Sequence, residues 1–446
     1  MSVCQIRGGL LLWASVFLCL SSTTLLAAPC GGVGNLSGVV FNDFNGDTVQ
    51  GGVNIETGVA DITVTVYSDD GSINSCETLS DGTFALDAPA GGFPVRLEVS
   101  IGTDKDYLFS GASGPSRVQF FSAPTAGIAA GLLNPKEYCD SNPMVATSCF
   151  VNGNPELDEG DPGTASVADV IVGFPYNASG NTAATNNNYL ALGGEVGATW
   201  GLAFQRQSDL LMAASVMKRH VGFAHLGPGG IYQVDMTDPM NPVASDFVDL
   251  AAAPYNIDFG VDNHILPSSD PMLATYDQDA WDFVGKMSYG GLAFSEDETT
   301  LWTVNMHDRR LYEIPVGIPA AAPVAADINF YDIPNPGCMD SSVVPAVPAP
   351  DDHRPWAVDY HQGMVYVGLV CSAQTSQQIA DMSATVYRFD PDNPGAGFTN
   401  VITFPLNYPR GLISSGGAGT GAEWLPWIAD FSDIPDPNQS FGQAIY

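Results

Sequence analysis

Hydrophobic residues in this chain recur mainly at every second position, which is the spacing of β-strands. The stretch 62–67 alternates strictly: Ile62, Val64 and Val66 fall on one face, with threonine and tyrosine side chains on the other. This pattern predicts a strand with one buried and one solvated face. The apolar stretch 37–41 predicts a second strand, so the segment between them is expected to be a loop.

Further short strands are predicted at 83–86, 93–99 and 117–121. Turn residues separate them, as in Asp-Asp-Gly at 69–71 and Ser-Asp-Gly at 80–82. Strands of this length and spacing are typical of a β-sandwich. Residues 30–135 are therefore predicted to form one all-β module.

The loop between the first two strands is acidic. Asp43, Asn45 and Asp47 fall at alternate positions, and Asn54 and Glu56 follow across a Gly-Gly bend. Calcium takes six to eight oxygen ligands, and oxygen side chains at alternate loop positions supply them. These five residues form a calcium-site hypothesis. The alternative is an acidic hairpin without an ion, because Asp, Asn and Gly are common turn residues.

These residues carry a family resemblance. Gly-Val-Val-Phe-x-Asp-x-Asn-x-Asp at 38–47, Glu-Thr-Gly-Val-x-x-Ile-Thr-Val-x-Val-Tyr at 56–67 and Ser-Asp-Gly-Thr-Phe-Ala-Leu at 80–86 resemble the B-type domain of bacterial serine-aspartate repeat proteins (SdrD B-like) over residues 33–125. The resemblance implies an immunoglobulin-like β-sandwich of a surface protein, with calcium held in the acidic loop. Two features depart from it: Thr48 replaces a glycine, and Glu56 comes later than the family's closing glutamate.

A different pattern begins near residue 189, where three copies of a three-strand unit follow one another. The predicted strands are 199–204, 209–215 and 230–235, then 289–294, 301–305 and 310–314, then 354–360, 364–369 and 385–389. Three strands and an irregular fourth are typical of a β-propeller blade. Residues 189–446 are thus predicted to be propeller-like, and 136–188 an acidic and polar linker.

A fourth copy is predicted to start at 408, and it lacks its later strands. Because propellers close through four to eight blades, we expect either that the chain is truncated or that 236–286 holds a divergent blade.

Composition narrows the class of protein. Asp and Glu number 49 against 14 Lys and Arg, giving a net charge of -35. Nucleic acids and anionic membranes are bound through cationic side chains, so this charge disfavours both as partners. Only 14% of residues are charged and 10% are aromatic, which indicates a folded chain rather than a disordered acidic one.

The N-terminus predicts export. Arg7 precedes an apolar stretch at 9–20, and small residues follow near Ala27, the pattern of a secretory signal peptide at 1–27. The apolar stretch is short for an uncleaved membrane anchor. Pro29, directly before Cys30, departs from the lipoprotein pattern. The mature chain is therefore predicted to be secreted, extracellular or at the cell surface, without a transmembrane helix.

Six cysteines remain after removal of the signal peptide. An even number in an exported chain favours disulfides, although fifteen connectivities exist and free buried thiols are the alternative. Proximity in sequence predicts three pairs: Cys30 with Cys76, Cys139 with Cys149, and Cys338 with Cys371.

Catalytic motifs are largely missing from the sequence. His307, Asp308 and Arg309 follow a strand of one repeat, and Asp352, His353 and Arg354 precede a strand of the next. Because propeller loops converge, these groups are candidates for acid–base chemistry on an anionic sugar; local ion pairs are the alternative.

The sequence thus favours a non-catalytic, secreted or cell-surface bacterial structural or adhesion protein. Its module of the B type would bind calcium, and its propeller an extracellular glycan or protein ligand. The alternatives are a secreted polysaccharide lyase or hydrolase, and a purely structural component with no soluble ligand.

Overall fold

A computed structural model describes residues 28–31, 34–44, 46, 48–51, 56–102, 105, 107–110, 117–135, 142–179, 188–266, 277–409 and 424–433. The protein is all-β, as predicted, and its chain divides into two compact units. The first comprises Met1–Asn42, Gly46–Val49 and Gly58–Leu132; the second comprises Asp43–Asn45, Gln50–Thr57 and Leu133–Tyr446. The predicted signal peptide lies outside the described residues.

The first unit is built from two sheets. Its strands are β1 (Ala28–Pro29), β2 (Leu36–Asn42), β3 (Thr63–Ser68), β4 (Ile73–Glu77), β5 (Thr83–Leu86), β6 (Val95–Ser100), β7 (Leu108–Phe109), β8 (Val118–Phe121) and β9 (Thr125–Leu133). One sheet has the order β1-β4-β3-β6-β8 and the other β5-β2-β9-β7. Neighbouring strands are antiparallel except β1 with β4 and β2 with β9.

The two sheets of the first unit share one hydrophobic core. Val64 and Val66 of β3 are fully buried together with Ile62, and they pack in one cluster with Phe84 of β5 and Leu97 of β6. Burying an aliphatic side chain of this size contributes about 1.5–3 kcal/mol. The alternation read from the sequence therefore sets the inner face of a β-sandwich, which confirms the predicted architecture of this module.

A disulfide joins the first strand to the rest of the sandwich. Cys30 and Cys76 are bonded, and Cys76 lies on β4 opposite Ala28 of β1. This pair confirms the prediction. The bond closes a loop across a sequence separation of 46 residues. In the chain-entropy model, this lowers the entropy of the unfolded chain and so stabilises the folded state by about 4 kcal/mol.

The second unit contains the remaining strands. They are β10 (Met144–Ser148), β11 (Asp169–Pro175), β12 (Asn188–Leu192), β13 (Thr199–Gln205), β14 (Leu210–Ser215), β15 (Gly230–Asp235), β16 (Val243–Asp249), β17 (Tyr289–Phe294), β18 (Thr300–Asn305), β19 (Arg310–Pro315), β20 (Asn329–Asp332), β21 (Met339–Asp340), β22 (Val347–Pro348), β23 (His353–His361), β24 (Met364–Cys371), β25 (Ser383–Phe389) and β26 (Phe398–Pro405). Its short helices are α1 (Gly193–Val196) and α2 (Gln278–Trp281), with 3₁₀ turns at Gly227–Gly229, Ala325–Asp327, Pro350–Asp352, Ile379–Asp381, Pro394–Ala396 and Phe431–Asp433.

Three four-stranded antiparallel sheets follow the chain order β13–β16, β17–β20 and β23–β26. Each contains the three predicted strands of one repeat plus a fourth outer strand, so the predicted repeat is confirmed. A three-stranded sheet, β10-β11-β12, comes before them, and β21 pairs with β22. Consecutive four-stranded meanders of this kind are the building units of propeller-like folds.

The first strands of successive sheets lie side by side at glycines. A Cβ on Gly201 of β13 would lie 2.7 Å from the carbonyl oxygen of Gly290 of β17. A Cβ on Gly290 would in turn lie 2.1 Å from the carbonyl oxygen of Trp356 on β23. Both distances are too short for a side chain, so these positions need glycine for the backbones to approach.

Two expectations about the flanking segments need correction. The stretch 136–188, predicted as a linker, contributes β10 and β11, which pair from Met144 with Pro175 to Ser148 with Ile171. The hydrophobic pattern gave no sign of β10, because its side chains are half-buried or exposed without alternation. In 236–286, the described residues form β16 of the preceding sheet and α2 rather than a separate blade. Most of the predicted fourth copy lies outside the described residues.

Candidate ligand-binding pocket

The second unit contains a cavity of about 530 Å³. Its lining comes from β13, β23, β24, β25 and β26, from the segment 216–219 that follows β14, and from α2. Cavities of roughly 300–1,000 Å³ hold small organic ligands. The size and composition of this cavity make it the candidate functional site.

Two groups of aromatic side chains line the cavity. Trp200 stacks on Phe150 with ring centroids 6.4 Å apart and meets Trp356 edge-on at 5.8 Å. Trp281 stacks on Trp427 at 4.9 Å. Trp200 is 48% exposed because it lies on the outer face of β13, whose side chains alternate between buried and more exposed positions, and its ring therefore remains accessible to a ligand.

Arg354 is the buried cation of the pocket. It is 6% exposed, and its Nη1 donates to the carbonyl oxygen of His353 at 3.3 Å, while Nη2 donates to Oε1 of Gln374 at 3.5 Å. Its Nε is buried and has no hydrogen-bond acceptor within the described part of the chain. The ion pairs of the described residues include none to this guanidinium. Part of its donor capacity is thus unused.

Lys218 and Arg219 add two further cations. The Lys218 ammonium lies 4.9 Å from the ring centroid of Phe150, and the Arg219 guanidinium lies 4.1 Å from that of Phe431 and 5.8 Å from that of Trp281. Partial desolvation lowers the pKa of both groups, although Asp277 acts in the opposite direction on Arg219. The aromatic side chains stabilise these cations through their negative ring faces.

A network of hydrogen bonds fixes the backbone that carries these two cations. His264 Nδ1 lies 2.7 Å from Asp262, and Nε2 lies 3.0 Å from the carbonyl oxygen of Lys218. Asp277 accepts from the backbone N–H of His220 at 2.7 Å. Burial of the His264 ring opposes its charged form, but the bonds to Asp262 and to the Lys218 carbonyl outweigh this and raise its pKa.

The predicted calcium ligands are only partly described. Asp43 and Glu56 are both buried, and Glu56 Oε2 accepts from the backbone N–H of Gly51. Asn45, Asp47 and Asn54 lie outside the described residues. Within the described ranges, no three His, Cys, Asp or Glu side chains are grouped as metal ligands. Calcium binding stays a prediction.

The predicted acid–base groups meet only in part. Arg309 Nη1 lies 3.5 Å from Nδ1 of His353, which in turn lies 2.9 Å from the carbonyl oxygen of Pro350. His307 instead faces Asp258, with 3.5 Å between Nε2 and Oδ2.

The two carboxylates of this set have local partners. Asp308 accepts from the Tyr312 hydroxyl at 2.5 Å, and Asp352 accepts from the backbone and hydroxyl of Thr375 at 3.0 and 2.8 Å. These are local contacts of the loops, and Asp308 also lies 3.8 Å from the Arg310 guanidinium; local ion pairs were the alternative to acid–base chemistry at these residues.

The cysteine predictions are confirmed for the pair Cys338–Cys371, whose sulfurs are bonded. Cys149 is exposed, and Cys139 lies outside the described residues. Their pairing stays a prediction. Disulfides are typical of proteins that pass through an oxidising compartment. In the part of the chain that the structure describes, no helix has the length and apolarity needed to cross a membrane.

The sequence reasoning missed the pocket itself. It included Arg354 only as a loop residue of the acid–base set and left Trp200, Trp281 and Trp427 unassigned. One signal was present: Trp200 and Trp356 occur in the first strands of two repeats, and first strands of neighbouring blades lie together in a propeller-like unit. Trp281 and Trp427 gave no such signal, because they lie outside the repeats.

The fold and the cavity define a class: all-β proteins with a sandwich unit, a unit of consecutive four-stranded sheets and structural disulfides. No family model matches the chain. It is similar to Colossin-D of Dictyostelium discoideum, with 25% identity over 437 residues that cover 89% of this chain and 42% of that protein. It is also similar to Colossin-A of the same organism, with 26% identity over 90% of this chain and 4% of that protein.

The chain thus spans less than half the length of these curated relatives. Among solved structures, the PQQ-bound aldose sugar dehydrogenase of Streptomyces coelicolor aligns with 79% of this chain and 91% of its own, at 14% identity and a TM-score of 0.22. A TM-score of this size carries no argument about function. The matched relatives come from Dictyostelium, and the resemblance to a bacterial B-type domain stays a prediction.

Proposed function

We propose that this protein is a secreted or cell-surface, non-catalytic β-protein that binds an extracellular ligand in the pocket of its second unit. The observation that carries the proposal is the pocket itself, a cavity of about 530 Å³ with an exposed Trp200 at its wall and Arg354 within it. Aromatic walls with a few polar groups are typical of binding sites for small molecules and for the terminal residues of glycans. Structural and adhesive proteins of cell surfaces use such sites without catalysis.

The proposal also includes calcium binding by the acidic loop at 43–56 of the predicted B-type module. The burial of Asp43 and Glu56 in the acidic loop supports it, because buried carboxylates need a compensating cation or hydrogen bonds. A bound ion would stabilise the folded loop by mass action.

A glycan and small-molecule array with the full chain tests the pocket, with Trp200→Ala as the pocket variant. Phe204→Ala is the matched control, because Phe204 is also exposed on β13 but does not line the cavity. We expect Trp200→Ala to weaken binding of an array ligand about tenfold, the value of one lost aromatic contact. The proposal fails if no ligand binds, or if both variants bind like the unmodified protein.

A further inference from the structure

We propose that the pocket binds a carboxylate through Arg354, with the apolar body of the ligand against Trp200 and Trp356. The ligand class is a small carboxylic acid with one flat apolar face, of which uronic acid sugars and aromatic acids are the two sources. This inference rests on the proposed function, because it names the ligand of the same pocket.

Charge is the first argument. The chain has only 14 Lys and Arg residues against 49 Asp and Glu. Among the described residues, Lys218, Arg219 and Arg354 all line this cavity, and no Asp or Glu does. In a protein with a net charge of -35, most surface positions repel anions. A cavity lined by cations alone creates a local positive potential that attracts an anion.

The second argument is the state of Arg354. A guanidinium that is 6% exposed has lost most of its water, and burial of a charge is costly unless a partner compensates it. The adjacent Asp352 directs its carboxylate to Thr375, and the described residues place no carboxylate oxygen within ion-pair distance of Arg354. Among the residues that the structure describes, none accepts a hydrogen bond from its Nε. A ligand carboxylate would supply both the charge and the acceptor, in the paired geometry that arginine favours.

The third argument is the remaining lining, which fixes the shape of the ligand. Apart from the cations, the wall is formed by aromatic and aliphatic side chains, with the Thr385 hydroxyl as a polar group from β25. Trp281 and Trp427 are stacked on each other, and Trp200 is stacked on Phe150 and meets Trp356 edge-on. Because Trp200 is 48% exposed despite these contacts, its exposed part is the surface for a flat apolar face, either the C–H face of a sugar or an aromatic ring.

The test is calorimetric titration of the full chain with two matched pairs of probes: galacturonate with galacturonamide, and phenylacetate with phenylacetamide. Each pair differs at one group, which is a carboxylate in the acid and a neutral carboxamide in the amide. We expect at least one acid to bind about 10- to 100-fold more tightly than its amide, the range for a hydrogen bond to a charged group. The pair that shows the difference identifies the source of the carboxylate.

Three variants test which side chains cause the preference for the acid over the amide. Arg354→Gln should reduce the preference for the acid over the amide by about tenfold or more, and Lys218→Gln, at an exposed position, should reduce it severalfold. Arg388→Gln is the control, because Arg388 is exposed on β25 and lies outside the cavity lining. If Arg354→Gln fails to fold, Lys218→Gln decides the outcome.

Equal binding of acid and amide would overturn the carboxylate inference and leave the proposed function standing. The same holds if a neutral array ligand depends on Trp200 and neither acid binds. Absence of binding by all four probes and by the array would overturn both. An acid preference that persists in the folded pocket variants would overturn the role of Arg354.

Discussion

The close approach of β17 to β23 predicts that position 290 requires glycine. In Gly290→Ala, the new Cβ would lie 2.1 Å from the carbonyl oxygen of Trp356 and 2.9 and 3.1 Å from its carbonyl carbon and Cα. All three are backbone atoms, so no side-chain rotation relieves the contact. Since carbon–oxygen contacts are not stable much below about 3.3 Å, β23 has to move by roughly 1 Å.

Two opposing terms set the size of the effect. Overpacking lowers the free energy of unfolding by about 1–3 kcal/mol. A Gly→Ala change also reduces the conformational freedom of the unfolded chain, which raises the free energy of unfolding by about 0.4–1 kcal/mol. We expect Gly290→Ala to destabilise the second unit by about 1–2 kcal/mol. Because β23 carries Arg354 and Trp356, the variant should also weaken ligand binding in the pocket.

Urea unfolding followed by tryptophan fluorescence measures this change. Apart from Trp13, within the predicted signal peptide, every tryptophan of the sequence lies at or beyond residue 200, so the signal reports on the second unit. A loss of about 1–2 kcal/mol lowers the urea midpoint by roughly 0.5 M. Gly395→Ala is the control, because a Cβ at Gly395 meets no atom within 4 Å and its midpoint should not fall. Equal midpoints for the Gly290 variant and the unmodified protein would refute the close approach.

Three further predictions concern stabilising groups. Replacing Cys338 and Cys371 by serine should lower the stability of the second unit by about 4 kcal/mol in the chain-entropy model for a separation of 33 residues; an unchanged urea midpoint would contradict it. The raised pKa of His264 should stabilise the fold fully below pH 6.5, and this stability should be lost as the pH rises through the raised pKa. His264→Gln should therefore show a smaller fall in urea midpoint between pH 6 and pH 8 than the unmodified protein, and parallel pH profiles would count against this. Calcium at about 100 times its dissociation constant should stabilise the folded protein by about 2.7 kcal/mol in scanning calorimetry, and the Asp43→Ala, Asp47→Ala double variant should lose the effect; identical melting with calcium and with chelator would exclude the site.

The sequence was sufficient for the strands with clear alternation or repetition and for two of the cysteine pairs. Alternation at 62–67 identified the buried face of β3, and the three repeats identified β13–β15, β17–β19 and β23–β25. These features are local, because a strand with one buried face needs a period of two whatever it packs against. The pairs Cys30–Cys76 and Cys338–Cys371 could also be predicted from local information, because the two cysteines of each pair are near each other in the sequence.

The pocket was decided by tertiary structure alone. Trp200, Trp281, Arg354 and Trp427 come from four distant parts of the chain, and a single sequence has no pattern that joins them. The same holds for β10, whose pairing with β11 forms it, and for Gly290, whose need for glycine arises from the backbone of another sheet. Periodicity reports which face of an element is buried; it does not report which other element covers that face. The local alternation of hydrophobic and polar residues therefore determines the fold class of this protein, whereas its candidate binding site forms only when the sheets pack together.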